Sequence, residues 1–262
     1  VRVHPDGSLD VTHLPTGRTW NGLNALRDEQ DDGNQYNFSW PRNRPVTRPA
    51  AGTVSTAVNS PLRAVARVET AIPCFDESGV DEMSERRLGN NMPTVECPLT
   101  VEIGLSRTSG LVDLAVEIDN RGAGHRLRSC FDVLARDDTL RAASTFDFVD
   151  RSLGANASRP RAVKGEQMLA LQARGMQELL CVQSGDDGLL LATRGLYEYR
   201  RELAADRLTL TLFRSAGTIN FGFEAYGTAR GGYLPGRHRM AFALRPFAGD
   251  PLAAGPDATG VP

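Results

Sequence analysis

Lysine is almost missing from this sequence: Lys164 stands alone, and arginine carries nearly all of the 30 basic charges. That bias reflects a GC-rich genome rather than a physical need, and it points to a bacterial source. Charge of one sign is missing as well, since 30 basic against 32 acidic residues leave a formal net charge of -2. A nucleic-acid or anionic-membrane partner therefore has no electrostatic support. No apolar run approaches the roughly 18 residues that a membrane helix requires, and no signal peptide opens the chain. The expected location is the bacterial cytoplasm. The first residue is Val1 rather than Met, so the chain is expected to be cut from something longer, and the missing signal says little about the whole protein.

Cysteine and histidine are sparse and scattered. Cys74, Cys97, Cys130 and Cys181 form no Cys-x-x-Cys pair, and His4, His13, His125 and His238 fall singly on separate predicted elements. A zinc site made wholly within the chain is not expected. The cysteines read as reduced, mostly buried thiols; if two were joined, Cys74 and Cys97, which flank a polar loop, are the pair expected. The Asn37 and Asn156 sequons carry no meaning without a secretory route. Aromatic residues make up only 6%, with two tryptophans, Trp20 and Trp40. Helical periodicity never persists for three turns, which excludes a helical bundle and any alternating β-α domain.

What is present is period-two patterning. Residues 1–4 and 9–14 flank Pro5-Asp6-Gly7-Ser8, a hairpin signal, and residues 16–20 extend the meander. Alternation returns over 54–72, with Ala64, Ala66 and Val68 opposed to Arg63, Arg67 and Glu69. Residues 94–106 place Val95, Cys97, Leu99, Val101, Ile103 and Leu105 on one face, and 111–118 supply an antiparallel partner after the turn Thr108-Ser109-Gly110. Further strands are expected over 127–134, 168–171, 178–182, 188–192, 208–213 and 238–247, and the insert at 76–91 reads as a solvated loop or hairpin tip. These segments predict an all-β protein, a large two-sheet antiparallel β-sandwich formed as one domain over residues 1–262, with the last dozen or so residues a tail.

One stretch breaks that pattern. From Asp28 to Pro41, acids, amides, a glycine and aromatics crowd together. Asp31-Asp32-Gly33 is turn chemistry, and Tyr36, Phe38 and Trp40 follow at period two, which predicts a strand with its aromatics on one face. Carboxylates and amides beside an aromatic face suit a sugar, whose hydroxyls need placed hydrogen-bond partners while its C–H faces stack on rings. An acidic surface turn followed by an edge strand fits the same residues.

The run from Leu26 to Pro41 resembles the Asp-x-Gly-Asp-x-Tyr-x-x-Ser-Pro segment of the α-mannosidases of glycoside hydrolase family 38, in particular the bacterial type. Asn120 to Arg128 is similar to that family's Asn-x-x-x-x-His-Arg-Leu-Arg element. Gly195-Leu196-Tyr197-Glu198-Tyr199 and Leu208 to Gly217 resemble its Gly-Leu-x-Glu-Tyr and Leu-Thr-Leu-Leu-Arg-Ser-x-Gly elements. Four elements in family order make the resemblance specific, whereas any one alone would be weak.

The resemblance implies a C-terminal β-sandwich of the galactose mutarotase type. Glycoside hydrolysis by retention needs two carboxyls about 5 to 5.5 Å apart. In this family those two aspartates and the zinc ligands belong to an N-terminal catalytic domain that the sequence does not contain. No catalytic residue and no metal ligand is therefore expected here, and the expected partners are the chain's own N-terminal catalytic domain and a mannose-containing oligosaccharide or glycoside. By resemblance, Tyr36 reaches the bound sugar, Arg214 lies near it, and Asp32 and Asn34 belong to the same substrate-binding turn. Arg214 could equally be a strand-end arginine paired with a surface acid. His125 and Arg126 are candidates for the interface with the missing domain. The pattern departs from the family at Asn34, commonly Asp, and at Trp40, commonly absent. A stand-alone carbohydrate-binding or mutarotase-like module, which would need its own aromatic platform around Trp20 and Trp40 or its own His/Glu pair, is the alternative. A scaffold that only packs against a catalytic domain is the plainest reading.

Overall fold

Alternating side chains set the strands of this protein and turn residues end them. The computed structural model describes residues 1–36, 38–40, 45–78, 92–133, 138–151, 173–202, 206–220 and 226–250. The strand expected at 168–171, most of the 76–91 insert, both sequon asparagines and the C-terminal tail lie outside the described residues.

Among the described residues are twenty strands: β1 (Arg2–Val3), β2 (Leu9–Thr12), β3 (Thr19–Leu23), β4 (Ala25–Gln30), β5 (Val46–Thr47), β6 (Thr53–Asn59), β7 (Arg63–Phe75), β8 (Thr94–Ser106), β9 (Val112–Asn120), β10 (His125–Phe131), β11 (Thr139–Ala143), β12 (Phe148–Asp150), β13 (Ala173–Gly175), β14 (Leu179–Ser184), β15 (Asp187–Thr193), β16 (Glu198–Glu202), β17 (Arg207–Ser215), β18 (Thr218–Asn220), β19 (Tyr226–Thr228) and β20 (Gly236–Ala248). A single 3-10 turn, Arg230–Tyr233, is the only helical element among them. The protein is therefore all-β, as its patterning predicts.

Two large antiparallel sheets dominate. The nine-stranded sheet runs β12-β11-β14-β15-β20-β9-β8-β7-β6, and the six-stranded sheet runs β13-β16-β17-β10-β4-β5. β8 and β9 pair from Leu99 with Ile118 to Leu105 with Val112. On β8, Cys97, Leu99, Val101 and Ile103 are buried as the alternation requires, while Leu105 at the strand's end is exposed. The alternating segment 54–72 is a hairpin rather than one strand. Ser60 and Pro61 break it, and the Ser60 hydroxyl accepts the Arg63 N–H at 3.0 Å. β6 lies at the sheet edge, exposed along its whole length.

The core is the space between the sheets. Leu127, Phe131, Leu208 and Leu210 from the six-stranded sheet join Val101, Val116, Ile118, Phe242 and Leu244 from the nine-stranded one in a single cluster. Phe131 meets Phe242 edge to face, with ring centroids 6.2 Å apart. The small sheet β1-β2-β3 adds Leu9, Val11, Trp20 and Leu23 to the same cluster. Each such side chain contributes roughly 1.5 to 3 kcal/mol by leaving water. No helix among the described residues is long and apolar enough to cross a membrane.

Candidate functional site

β4 is buried on both faces, although its sequence, Ala-Leu-Arg-Asp-Glu-Gln, is mostly charged or polar. Register explains how. β10 lies beside it, with Arg126 opposite Glu29, Leu127 opposite Asp28 and Arg128 opposite Arg27. β17 flanks β10 on the other side, with Arg214 opposite Arg126 and Thr209 opposite Cys130. Directly paired residues share a face, so Arg27, Glu29, Arg126, Arg128, Thr209 and Arg214 look away from the core. Glu198, Arg200 and Glu202 of β16 complete that face.

Glu29 is its hub and has no exposed surface. Its carboxylate accepts Arg126 Nη2 at 2.6 Å and Arg126 Nε at 3.2 Å, and it sits 2.5 Å from Arg27 Nη2 and 3.8 Å from Arg128 Nη1. Burial alone would raise its pKa, but Arg126, Arg128 and Arg27 outweigh burial and lower it to about 2. Arg128, also fully buried, is pushed down to about 9 by burial and by Arg126. Arg126 reaches further, to Glu198 Oε1 at 3.1 Å, which also accepts the Thr211 hydroxyl at 2.6 Å.

The chain then turns over this charged face. Asp31 holds the turn: its Oδ1 accepts Gly33 N–H at 2.8 Å and Ser39 N–H at 3.2 Å, while Oδ2 accepts Arg214 Nε at 2.7 Å. Arg214 Nη2 also donates to the Asn34 carbonyl at 2.6 Å. The acidic turn and the end of β17 thus share one rim, although 183 residues separate Asp31 from Arg214. The acid that Arg214 meets here, Asp31, is a buried carboxylate rather than a surface one.

Tyr36, Phe38 and Trp40, expected on a strand, lie outside any strand among the described residues. Phe38 and Trp40 meet edge to face at 5.3 Å, and each ring lies on a guanidinium: Arg126 is 3.4 Å from the Phe38 centroid and Arg200 is 4.0 Å from that of Trp40. Those rings cover buried arginines, contacts worth about 0.5 to 2 kcal/mol each. Trp20 is core, at 6% exposure. Trp20 and Trp40, one in the core and one over Arg200, are therefore not exposed together on one face. Tyr36, by contrast, is 71% exposed. Asn34 is buried, its Oδ1 accepting Tyr36 N–H at 2.9 Å, and so shapes the turn. Asp32 is half-buried and accepts Gln30 Nε2 at 2.9 Å.

His125 and Arg126 do not act as a pair, because adjacent strand residues point to opposite faces. Arg126 belongs to the outer face, whereas His125 faces the nine-stranded sheet and is fully buried. Its Nδ1 lies 2.6 Å from Asp28 Oδ1 and its Nε2 lies 2.9 Å from Asn120 Oδ1. Asn120 Nδ2 donates to the carbonyls of Tyr233 and Leu234, so its Oδ1 is the accepting end and His125 Nε2 carries a proton. Asp28 Oδ2 accepts Phe75 N–H at 3.1 Å, which ties the two sheets together. Burial raises the Asp28 pKa against the pull of His125. Burial opposes charge on His125, but Asp28 outweighs it and the His125 pKa is raised. At 2.6 Å the two groups share one proton between Nδ1 and Oδ1.

Sequence reading missed Asp28, Glu29 and Asp31 as organisers, because a run of acids signals solvent unless its buried cationic partners are known. It also missed a grouping of metal-competent donors: ligand atoms of Asp28, Cys74 and His125 all lie within 4.8 Å of one another. All four cysteines are buried and free.

The Glycosyl hydrolases family 38 C-terminal domain matches residues 2–218. A Halalkalibacterium halodurans protein, provisionally named a mannosylglycerate hydrolase, is 26% identical over 97% of this chain and 28% of its own length. An α-mannosidase from Enterococcus faecalis superposes with a TM-score of 0.78 at 20% identity, over 94% of this chain and 28% of that one. Another solved structure, a glycosyl hydrolase family 38 protein from Enterococcus faecalis, gives 0.75 at 20% identity over 94% and 29%. The chain thus spans under a third of the length of these relatives.

Proposed function

Because the chain belongs to glycosyl hydrolase family 38, as the C-terminal domain of a mannosidase-like protein, we propose that it supports the catalytic domain of a retaining, zinc-dependent α-mannosidase and lines one side of its sugar site. The observation that carries this reading is the Asp31–Arg214 clamp, which fixes the acidic turn and the exposed Tyr36 on one rim. A tyrosine offers a ring face and a hydroxyl together, and a fixed guanidinium can keep a neighbouring carboxylate ionised. In this reading Tyr36 and Arg214, with Asp32 beside them, face substrate.

The zinc ion and the two reacting carboxylates belong to the N-terminal domain in this reading. Among the described residues, this rim groups no metal donors that could replace them, and the Asp28 cluster is sealed in the core away from any sugar. The substrate class is a glycoside with a terminal α-mannose. A carboxylate-bearing aglycone, as in the relative's name, is its variant with an added anionic group.

The test uses the full-length enzyme with an aryl α-mannoside and with mannosylglycerate. Tyr36→Phe should remove one hydrogen bond, costing about 1 to 3 kcal/mol where a buried partner is left unsatisfied, or roughly 5- to 150-fold in kcat/KM. Arg214→Met should lower kcat/KM and move the acid limb of its pH profile upward, because a carboxylate that loses a cationic neighbour titrates higher. Folded mutants with unchanged kinetics and pH dependence on both substrates would leave the rim without a role.

A further inference from the structure

The cluster between the sheets contains more than a hydrogen-bonded pair. Asp28 comes from β4, His125 from β10, Cys74 from β7 and Cys97 from β8, so each of four strands, two from each large sheet, sends one donor inward. All four residues have no exposed surface. The ligand atoms of Asp28, Cys74 and His125 lie within 4.8 Å of one another, and Cys97, opposite Ile72 on the paired strand, is the same-face neighbour of Cys74 and the fourth donor.

We propose that Asp28, Cys74, Cys97 and His125 form a buried structural site for a zinc ion, separate from any metal that serves catalysis. Two sulfurs, one imidazole and one carboxylate are a borderline-soft set that suits four-coordinate zinc and rejects magnesium or calcium. Zinc-to-ligand bonds of about 2.0 to 2.3 Å in a tetrahedron put ligands roughly 3.3 to 3.8 Å apart. The spacing of the Asp28, Cys74 and His125 donors, from 2.6 Å to within 4.8 Å, brackets that range, and the Cys97 sulfur, which lies outside that group, closes on it when the metal binds. The 2.6 Å contact between Asp28 and His125 opens by roughly 0.7 Å as the metal replaces the proton between them.

The surroundings are those of a metal site. A ligating histidine donates its other ring N–H to a fixed acceptor, which sets the tautomer and aims the free nitrogen at the metal. Here Nε2–H donates to Asn120 Oδ1, and Asn120 is itself anchored to two carbonyls, leaving Nδ1 directed at Asp28. The Cys97 sulfur accepts the Arg121 N–H at 3.3 Å, as an anionic sulfur would. The second carboxylate oxygen of Asp28 accepts Phe75 N–H. Two thiolates and one carboxylate exceed the charge of the ion by one, and these N–H groups offset the excess. Binding would release the two thiol protons and the proton shared by Asp28 and His125 to solvent, so affinity should rise with pH.

The experiment is a metal analysis of the 262-residue chain. Protein purified without chelator should carry about one zinc per chain. After metal removal, cobalt(II) should give the near-ultraviolet sulfur-to-cobalt charge-transfer band and the visible bands of tetrahedral cobalt. Both should survive Cys130→Ala/Cys181→Ala, which removes the other two thiols, and vanish in Cys74→Ala. Zinc should raise the melting temperature of the wild type and not of Cys74→Ala. A folded wild type with under about a tenth of an equivalent of zinc and no cobalt band overturns the proposal, as does a band that persists in Cys74→Ala or is lost in the Cys130/Cys181 variant. If Cys74→Ala does not fold, the wild-type and Cys130/Cys181 spectra decide the matter alone, because a surviving thiolate band can then come only from Cys74 and Cys97.

Discussion

Glu29→Gln probes the charged face of the six-stranded sheet most directly. The change keeps the side chain's length and an accepting oxygen while removing the charge that faces Arg27, Arg126 and Arg128. The Glu29 pKa is about 2 in the folded chain against an ordinary 4.5. At 1.36 kcal/mol per unit, that difference corresponds to about 3 kcal/mol of stability from the charged form. The usual cost of breaking a buried ion pair by removing one partner is about 3 to 5 kcal/mol, which agrees. A folded pKa depressed below the unfolded one contributes stability that is fully present above about pH 4.5 and is lost as pH falls through about 2.

The assay is urea unfolding of wild type and Glu29→Gln between pH 2 and 7, with melting temperatures alongside. At pH 7 the variant should be about 3 kcal/mol less stable, a drop of roughly 6 to 12 °C for a chain of this size. The gap should narrow below pH 4.5 and nearly close at pH 2. Asp10 and Glu102 also have lowered pKa values, so both proteins lose stability in acid, and only the difference isolates Glu29. A variant within about 0.5 kcal/mol of wild type at pH 7, the range of an ordinary surface change, or a gap that does not depend on pH, would refute the hub assignment.

Three further outcomes are expected. Gly124→Ala should destabilise the chain by about 1 to 3 kcal/mol, measured as a fall in melting temperature, because Gly124 sits at φ +71°, a Cβ there would meet the Glu77 carboxylate, and its carbonyl accepts Asp31 N–H at 2.9 Å. In chelator, the stability advantage of wild type over Asp28→Asn/His125→Gln should shrink as pH rises above 6.5, since the raised His125 pKa contributes stability that is lost as pH passes through the folded value; denaturant titrations from pH 6 to 9 with a constant or growing gap would contradict the shared-proton assignment. The 262-residue chain alone should not turn over an aryl α-mannoside with or without zinc, and zinc-dependent release of the phenol would show that it holds a reacting carboxylate pair after all.

Strands buried on one face were legible because alternation reports one wet and one dry side. Cys97, Leu99, Val101 and Ile103 on β8 follow that rule. β4 and β16 escaped it. Both sides of β4 are buried, but one side is lined with ions, so Arg27-Asp28-Glu29-Gln30 carries the composition of a loop and the hydrogen bonding of a strand. The charges could be read as buried only with β10 and β16 in view, since Glu29 meets Arg126 and Arg128 of β10 and Arg27 meets Glu202 of β16. The resemblance named Arg214 and Tyr36 together as residues near the sugar; periodicity could not bring Arg214 to the acidic turn, because the Asp31 contact joins residues 183 positions apart.

The aromatic run shows why period two misled. Phe38 and Trp40 do fall on one side, as alternation requires, but the surface beneath them is the guanidiniums of Arg126 and Arg200 rather than an apolar sheet. Two planar cations cannot be sealed by aliphatic side chains without losing the attraction of a ring face. Aromatics are therefore the residues that close this face while leaving the ions beneath them intact. The consequence reaches the rim. Ser39, between the two rings, donates its N–H to Asp31 and accepts that of Asp32 through its carbonyl. Seating the rings on the arginines and closing the turn that holds Arg214 are thus one event. The same loop that looked in sequence like a sugar platform acts as a lid on an ion cluster, and among its described residues it leaves Gln35 and Tyr36 in solvent.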